Sequence, residues 1–169
     1  AGIDQAAPFS EAMVFLNGVS GTTAEFIHGA YSPIKRTVPN FTRKFDVVCA
    51  SAIMCHMADP LNFISFLGSL AEEAVFFWGQ VIDSSHFLVS YKSPYSGLSE
   101  FGKFPYHFND NTRVSTSLMI HAFGSMGFTK LVEIERRPEW ISVREAPDGP
   151  LDHELENGSK HKAFLFIRP

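Results

Sequence analysis

Phe45-Asp46-Val47-Val48-Cys49-Ala50 decides the fold, together with the helical stripe that opens at Asp59-Pro60 and the second apolar run Ala74-Val75-Phe76-Phe77-Trp78. A short apolar run typical of a strand covered on both faces places the first segment at the centre of a parallel sheet. Asp59 offers a carboxylate to the free amides of a helix start, and Pro60 suits the first helical position because its missing N–H would have no partner there. Leu61, Ile64, Leu67, Leu70 and Ala71 then recur at helical spacing, with Phe63 and Phe66 beside them. A strand, a helix and a strand over about 35 residues make a βαβ crossover, which is right-handed in nearly all known cases.

Upstream, Gly2-Ile3-Asp4 reads as the end of a strand whose beginning is absent, and the first residue is Ala. Phe9, Ala12, Met13, Phe15 and Leu16 mark a short helix over Pro8 to Leu16, with Ser10 as a cap and Asn17-Gly18 as its stop. Ala24 to His28 is expected as a strand ending at Gly29. Downstream, residues 79–112 show no clear period but hold Gln80, Asp83, His86, Tyr91, Tyr95, Tyr106 and His107, broken by Pro94, Gly97 and Pro105. Long irregular connections are often binding loops, so this segment is expected to cover a substrate. Ser115 or Asn111 caps a helix whose apolar face is Leu118, Met119, Ala122, Phe123 and Met126, with Gly127 ending it in the left-handed conformation. Leu131 to Ile134 and Lys162 to Ile167 are expected strands, with a hydrophilic surface loop from Asp148 to Lys160 between them.

The 169 residues suit one domain, 1–169, with a single substantial core. Hydrophobic residues at 45% and charged residues at 19% place the chain among globular proteins rather than disordered ones. The 17 Phe imply either a ring-rich core or an apolar pocket, and the core is preferred. A net charge of -4 and the scattered pairs Lys35-Arg36, Arg43-Lys44 and Arg136-Arg137 offer no basic stripe for a phosphate backbone, so no nucleic-acid partner is expected. Cys49 and Cys55 are a poor basis for a disulfide framework, which predicts reduced thiols and a cytoplasmic setting. No apolar stretch reaches the ~18–20 residues that span a bilayer, so no membrane partner is expected.

The order of these elements resembles the class I methyltransferases that use S-adenosylmethionine. Gly2-Ile3-Asp4 resembles the end of that family's strand two, Phe15-Leu16-Asn17-Gly18-Val19 the helix exit before strand three, and Glu25-Phe26-Ile27-His28-Gly29 strand three itself. Phe45-Asp46-Val47-Val48 through His56-Met57-Ala58-Asp59-Pro60 resembles strand four and the turn after it, and Met126-Gly127-Phe128 the approach to strand six. Each motif is common by itself; their order and spacing carry the likeness. The resemblance implies an α/β fold, a doubly wound and mostly parallel sheet with an antiparallel last strand, incomplete at its N-terminus because strand one and its glycine-rich loop are missing. It implies S-adenosylmethionine as the cofactor and a small-molecule acceptor as the partner.

Carried over residue by residue, the resemblance makes Asp4 the carboxylate that meets the ribose hydroxyls, although Asp4 also suits a plain turn. Gly29, Ala30 and Tyr31 fall at the adenine, where the family often has Gly-Asp; the carboxylate is gone here, leaving backbone at Ala30 and the ring of Tyr31. Ser51 and Ala52 fall beside the sulfonium end. His56 falls near the transferred methyl, as a base or as a wall of the site, and His86 and His107 in the irregular segment are the other histidines that can serve as a base. No Gly-x-Gly-x-Gly turn follows any strand, and Asn17-Gly18-Val19-Ser20-Gly21 precedes one, so the cofactor's amino-acid end has no cradle. Two readings follow: a methyltransferase fragment, inactive alone, or a non-catalytic methyltransferase-like binding or interaction module that self-associates through an open sheet edge.

Overall fold

The computed structural model describes residues 2–4, 15, 18–21, 25–28, 43–51, 53–57, 59–91, 112–134 and 159–169. The chain forms two compact units, residues 1–42 and 43–169. In the first, β1 (Gly2–Asp4) and β2 (Phe26–His28) pair in parallel, with Gly2 opposite Phe26 and Asp4 opposite His28. Gly18 to Ser20 are helical and Gly21 takes φ 67°. The helix therefore stops at Gly21, not at Asn17-Gly18, because Gly21 is the residue that adopts the left-handed conformation without a Cβ clash. The expected start of that helix at Pro8 lies outside the described residues.

The second unit runs β3 (Phe45–Ser51), a 3-10 turn (Met54–His56), α1 (Pro60–Leu70), β4 (Ala71–Ile82), β5 (Val89–Tyr91), β6 (Thr112–Ser115), α2 (Thr116–Ser125), β7 (Lys130–Glu133) and β8 (Ser159–Ile167). Its helix starts follow the sequence. Asp59 Oδ1 accepts from the Asn62 amide at 3.1 Å, and Ser115 Oγ accepts from the Leu118 amide at 3.3 Å. Gly127 takes φ 92° just past α2, as expected. Both helices leave carbonyls without helical partners at their ends. Arg168 meets them: its guanidinium donates to Ala71 O, Glu72 O and Met126 O at 3.2, 2.9 and 3.2 Å, and lies 4.3 Å from the centre of the Phe128 ring.

Strand β4 is the spine of a six-stranded sheet. It is 12 residues long, where the apolar run alone marked only Ala74 to Trp78. Antiparallel pairing with β8, from Ala74 opposite Ile167 to Ile82 opposite Ser159, carries it through the less apolar Gly79 and Gln80. The other edge of β4 takes β3 in parallel and, farther along, β6 in parallel. Strand β7 pairs antiparallel with β8, and β5 antiparallel with β6. The crossover β3-α1-β4 and the antiparallel β8 between β4 and β7 agree with the expected doubly wound sheet.

The expectation that β3 lies at the sheet's centre, covered on both faces, is overturned. Among the described strands its partner is β4 alone, Val47 is 50% exposed, and Asp46, Cys49 and Ser51 are exposed. Apolarity in a sequence reports that a strand can be covered, not that a neighbour is present to cover it.

Alternation divides the sheet's faces. Val75, Phe77, Val81, Phe164, Phe166 and Val114 are fully buried on one face, where Phe123 of α2 stacks on Phe166 with ring centres 4.3 Å apart. Phe128 meets Phe123 edge-on at 6.0 Å, and α1 packs against α2. This ring cluster answers the question raised by the Phe count in favour of a core. Truncating its centre, Phe123→Ala, should cost about 3–5 kcal/mol in urea denaturation, whereas Val47→Thr on the open edge should change stability by less than about 0.5 kcal/mol. Comparable losses from the two would contradict this placement of the core.

Candidate functional site

The edge of β4 changes partner at one place. Its ladder with β3 ends where Ser51 faces Trp78, and its ladder with β6 is in place where Val81 faces Val114. Gly79 and Gln80 fall between, without a ladder partner on that edge among the described residues. In open α/β sheets ligands lie outside the carboxyl ends of the strands, where the connections diverge. Here β3 ends at the exposed Ser51, and the chain passes into the Met54–His56 turn, closed by Met57 N donating to Met54 O at 3.1 Å. Met54 and Met57 are buried, and the turn lies against β4 and β6.

Register brings four polar residues into one row across the sheet. Ser90 faces Arg113, Gln80 is level with Arg113, and Gln80 faces His161. The row lies on the face opposite Phe77 and Val81, away from the ring cluster under α2. Arg113 Nε donates to Gln80 Oε1 at 3.1 Å, and Arg113 is only 7% exposed. The Trp78 indole stacks on His161 with ring centres 5.9 Å apart.

A pinned loop follows β4. Ser115 Oγ accepts from Leu88 N at 3.0 Å, Ser115 N donates to Leu88 O at 2.9 Å, and Ser117 Oγ donates to His86 O at 2.7 Å. Phe87 lies 4.9 Å from the His121 ring. The loop is thus fixed to the start of α2, with His86 held exposed on it. On β8, opposite Gly79, Lys162 places Nζ 3.0 Å from Glu133 Oε1 and 3.6 Å from Asp83 Oδ1, joining β8 to β7 and to the residue that follows β4. Partial removal from water pulls the Lys162 pKa down, but the hydrogen bond and charge of Glu133, followed by Asp83, outweigh it and raise the ammonium above the ordinary lysine value.

Of the residues expected in the site, Asp4 is the last residue of β1, Ser51 the last of β3, and His56 the last of the 3-10 turn. Gly29, Ala30, Tyr31, Ala52 and His107 lie outside the described residues. Arg113 was not among the expected site residues; its one local signal is the short β-favouring run Thr112-Arg113-Val114-Ser115. Cys49 and Cys55 are free thiols, and among the described residues no helix is long and apolar enough to cross a membrane.

Solved structures share this architecture. The N-terminal domain of EvdMO1 with SAH bound superposes with a TM-score of 0.62 at 11% identity, covering 99% of this chain and 64% of its own. Magnesium protoporphyrin IX methyltransferase from Synechocystis PCC 6803 with bound SAH gives 0.52 at 14% identity, covering 99% and 63%. An O-methyltransferase family protein from Burkholderia thailandensis gives 0.54 at 10% identity, covering 99% and 42%. No protein-family model and no curated protein matches the chain. The fold is that of the class I methyltransferases. The chain spans less than two thirds of the length of the EvdMO1 domain, at 64%.

The Lys162 cluster has a defined pH dependence. A folded pKa above the unfolded value stabilises fully below the unfolded lysine pKa of about 10.4 and is lost as pH rises through the folded value. Urea denaturation should therefore show a stability gap between wild type and Lys162→Met that holds from about pH 7 to about pH 9 and narrows above about pH 10.5. A gap that widens with rising pH would contradict the assignment.

Proposed function

We propose that the protein containing this chain transfers a methyl group from S-adenosylmethionine to a small-molecule acceptor at the carboxyl end of the sheet. The observation that carries this is the likeness, over 99% of the chain, to methyltransferase-fold structures with SAH bound. Two residues, one in each unit, are the candidates for the nucleoside end of the cofactor. Asp4 stands at the end of β1, where a carboxylate can accept from two ribose hydroxyls, and Ser51 ends β3 exposed beside the seam in the sheet. Its amino-acid end has no matching motif, since the 169 residues contain no Gly-x-Gly-x-Gly run. This chain alone therefore binds the cofactor weakly and is inactive by itself.

When bound, the cofactor supplies an electrophilic methyl carbon on a sulfonium. The task of the protein's residues is to hold the acceptor's nucleophile in line with that carbon, an alignment worth up to ~7–11 kcal/mol. For a hydroxyl acceptor, His56, His86 or His107 takes the proton as the oxygen–methyl bond forms, adding about 10²–10⁴-fold. Residues 79–82 belong to β4 and 89–91 to β5 rather than to an irregular cover, so among the described residues the acceptor's cover is narrowed to the loop 83–88. The edge of β3 away from β4, which pairs with no described strand, favours a second reading, a module that pairs with another strand there; the exposed apolar Val47 suits it.

In the full-length product of the gene that encodes this chain, Asp4→Ala should weaken SAH binding in calorimetry by about 1–3 kcal/mol. Unchanged affinity removes Asp4 from the site. Replacing the base among His56, His86 and His107 by Gln should lower kcat with little change in cofactor affinity. Full turnover in all three variants would exclude a base from this set.

A further inference from the structure

Arg113 is a buried cation with no anion beside it among the described residues. Its planar guanidinium carries five N–H donors. Among the described residues its one hydrogen bond is from Nε to Gln80, a neutral amide, and it has no carboxylate partner there. Removing a charge from water without a counter-ion is costly, and a chain selected for stability alone would replace it with an apolar residue. Arg168 shows the structural alternative in the same unit, with its guanidinium donating to three carbonyls and lying over a ring. Arg113 has none of that. With Nε committed to Gln80, the two Nη groups remain, a fork that matches the two oxygens of a carboxylate.

We propose that Arg113 anchors the carboxylate of an acidic, unsaturated small molecule at the row Ser90, Arg113, Gln80 and His161, and that this molecule is the methyl acceptor. The identification of the ligand as the acceptor rests on the methyl-transfer reading; the anion site does not. The row lies beside the partner change on β4, where the sheet's carboxyl end is open to a ligand. Gln80 fixes the guanidinium through Nε. Two residues back along β4, Trp78 stacked on His161 offers a flat apolar surface for the rest of the molecule. One cation suits the single charge of a carboxylate. By alternation Lys162 belongs to the opposite face, and Asp83 and Glu133 already flank it.

Calorimetric titration of sodium benzoate, benzamide and inorganic phosphate into wild-type protein, Arg113→Met and Arg113→Lys tests the proposal. Benzoate should bind saturably and more tightly than the other two. Arg113→Met should bind it about 10- to 100-fold more weakly, and Arg113→Lys should recover part of the loss, having the charge without the fork. Thermal denaturation is the second readout. Arg113→Met should melt at or above the wild-type temperature, because it removes an uncompensated buried charge. The proposal is overturned by equal benzoate affinity in Arg113→Met, by benzamide or phosphate binding as tightly as benzoate, or by a lower melting temperature in Arg113→Met. SAH titrated in parallel into the full-length protein separates the two claims. Absent SAH binding there with Arg113-dependent benzoate binding intact rejects the methyl-transfer reading and supports the anion site; SAH binding without benzoate binding rejects the anion site alone.

Discussion

The ladder along both edges of β4 is the constraint on which the second unit depends. One strand holds β8 along one edge and both β3 and β6 on the other, so its register sets the register of three neighbours. The same ladder fixes which residues share a face. Phe77 and Val81 are committed to the ring cluster beneath α2, and Trp78 and Gln80 to the opposite face. A one-residue slip would exchange the two sets, placing Gln80 and Arg113 among buried phenylalanines at the cost of unsatisfied polar groups.

The partner change on β4 interrupts this ladder on one edge. A parallel neighbour that ran the whole length of β4 would pair Gly79 and Gln80 and leave no gap at the carboxyl end. Because β3 stops at Ser51, the chain can fold into the Met54–His56 turn against β6, and Gln80 is left facing Arg113. The loop pinned through Ser115 and Ser117 holds β5 and β6 in place, so the polar row stands on a fixed support.

Local chemistry made part of this legible in the sequence. Asp59-Pro60, Ser115 and Gly127 announce helix boundaries through capping and backbone conformation, which depend on adjacent residues only, and all three stand where they were expected. The apolar runs around Val47 and Val75 likewise marked two parallel strands. Features set by distant pairing were hidden. Nothing near Val47 states that β4 will be the one described partner of β3, and nothing near Arg113 states that Gln80, 33 positions earlier, will be level with it. Asp4, Ser51 and His56 are expected from order and spacing alone; Arg113 stands out only where strand pairing brings it beside Gln80.

The central claim is that the carboxyl end of this sheet, from Ser51 through the Met54–His56 turn, receives S-adenosylmethionine or its product. Amide hydrogen exchange of the full-length protein with and without SAH measures this most directly. Exchange at Ser51 and through residues 53–57 should slow when SAH is present, with little change at Val75 to Trp78 of β4, which pair with both β3 and β8. Exchange that is unaffected at these positions while the protein is saturated with SAH would contradict it.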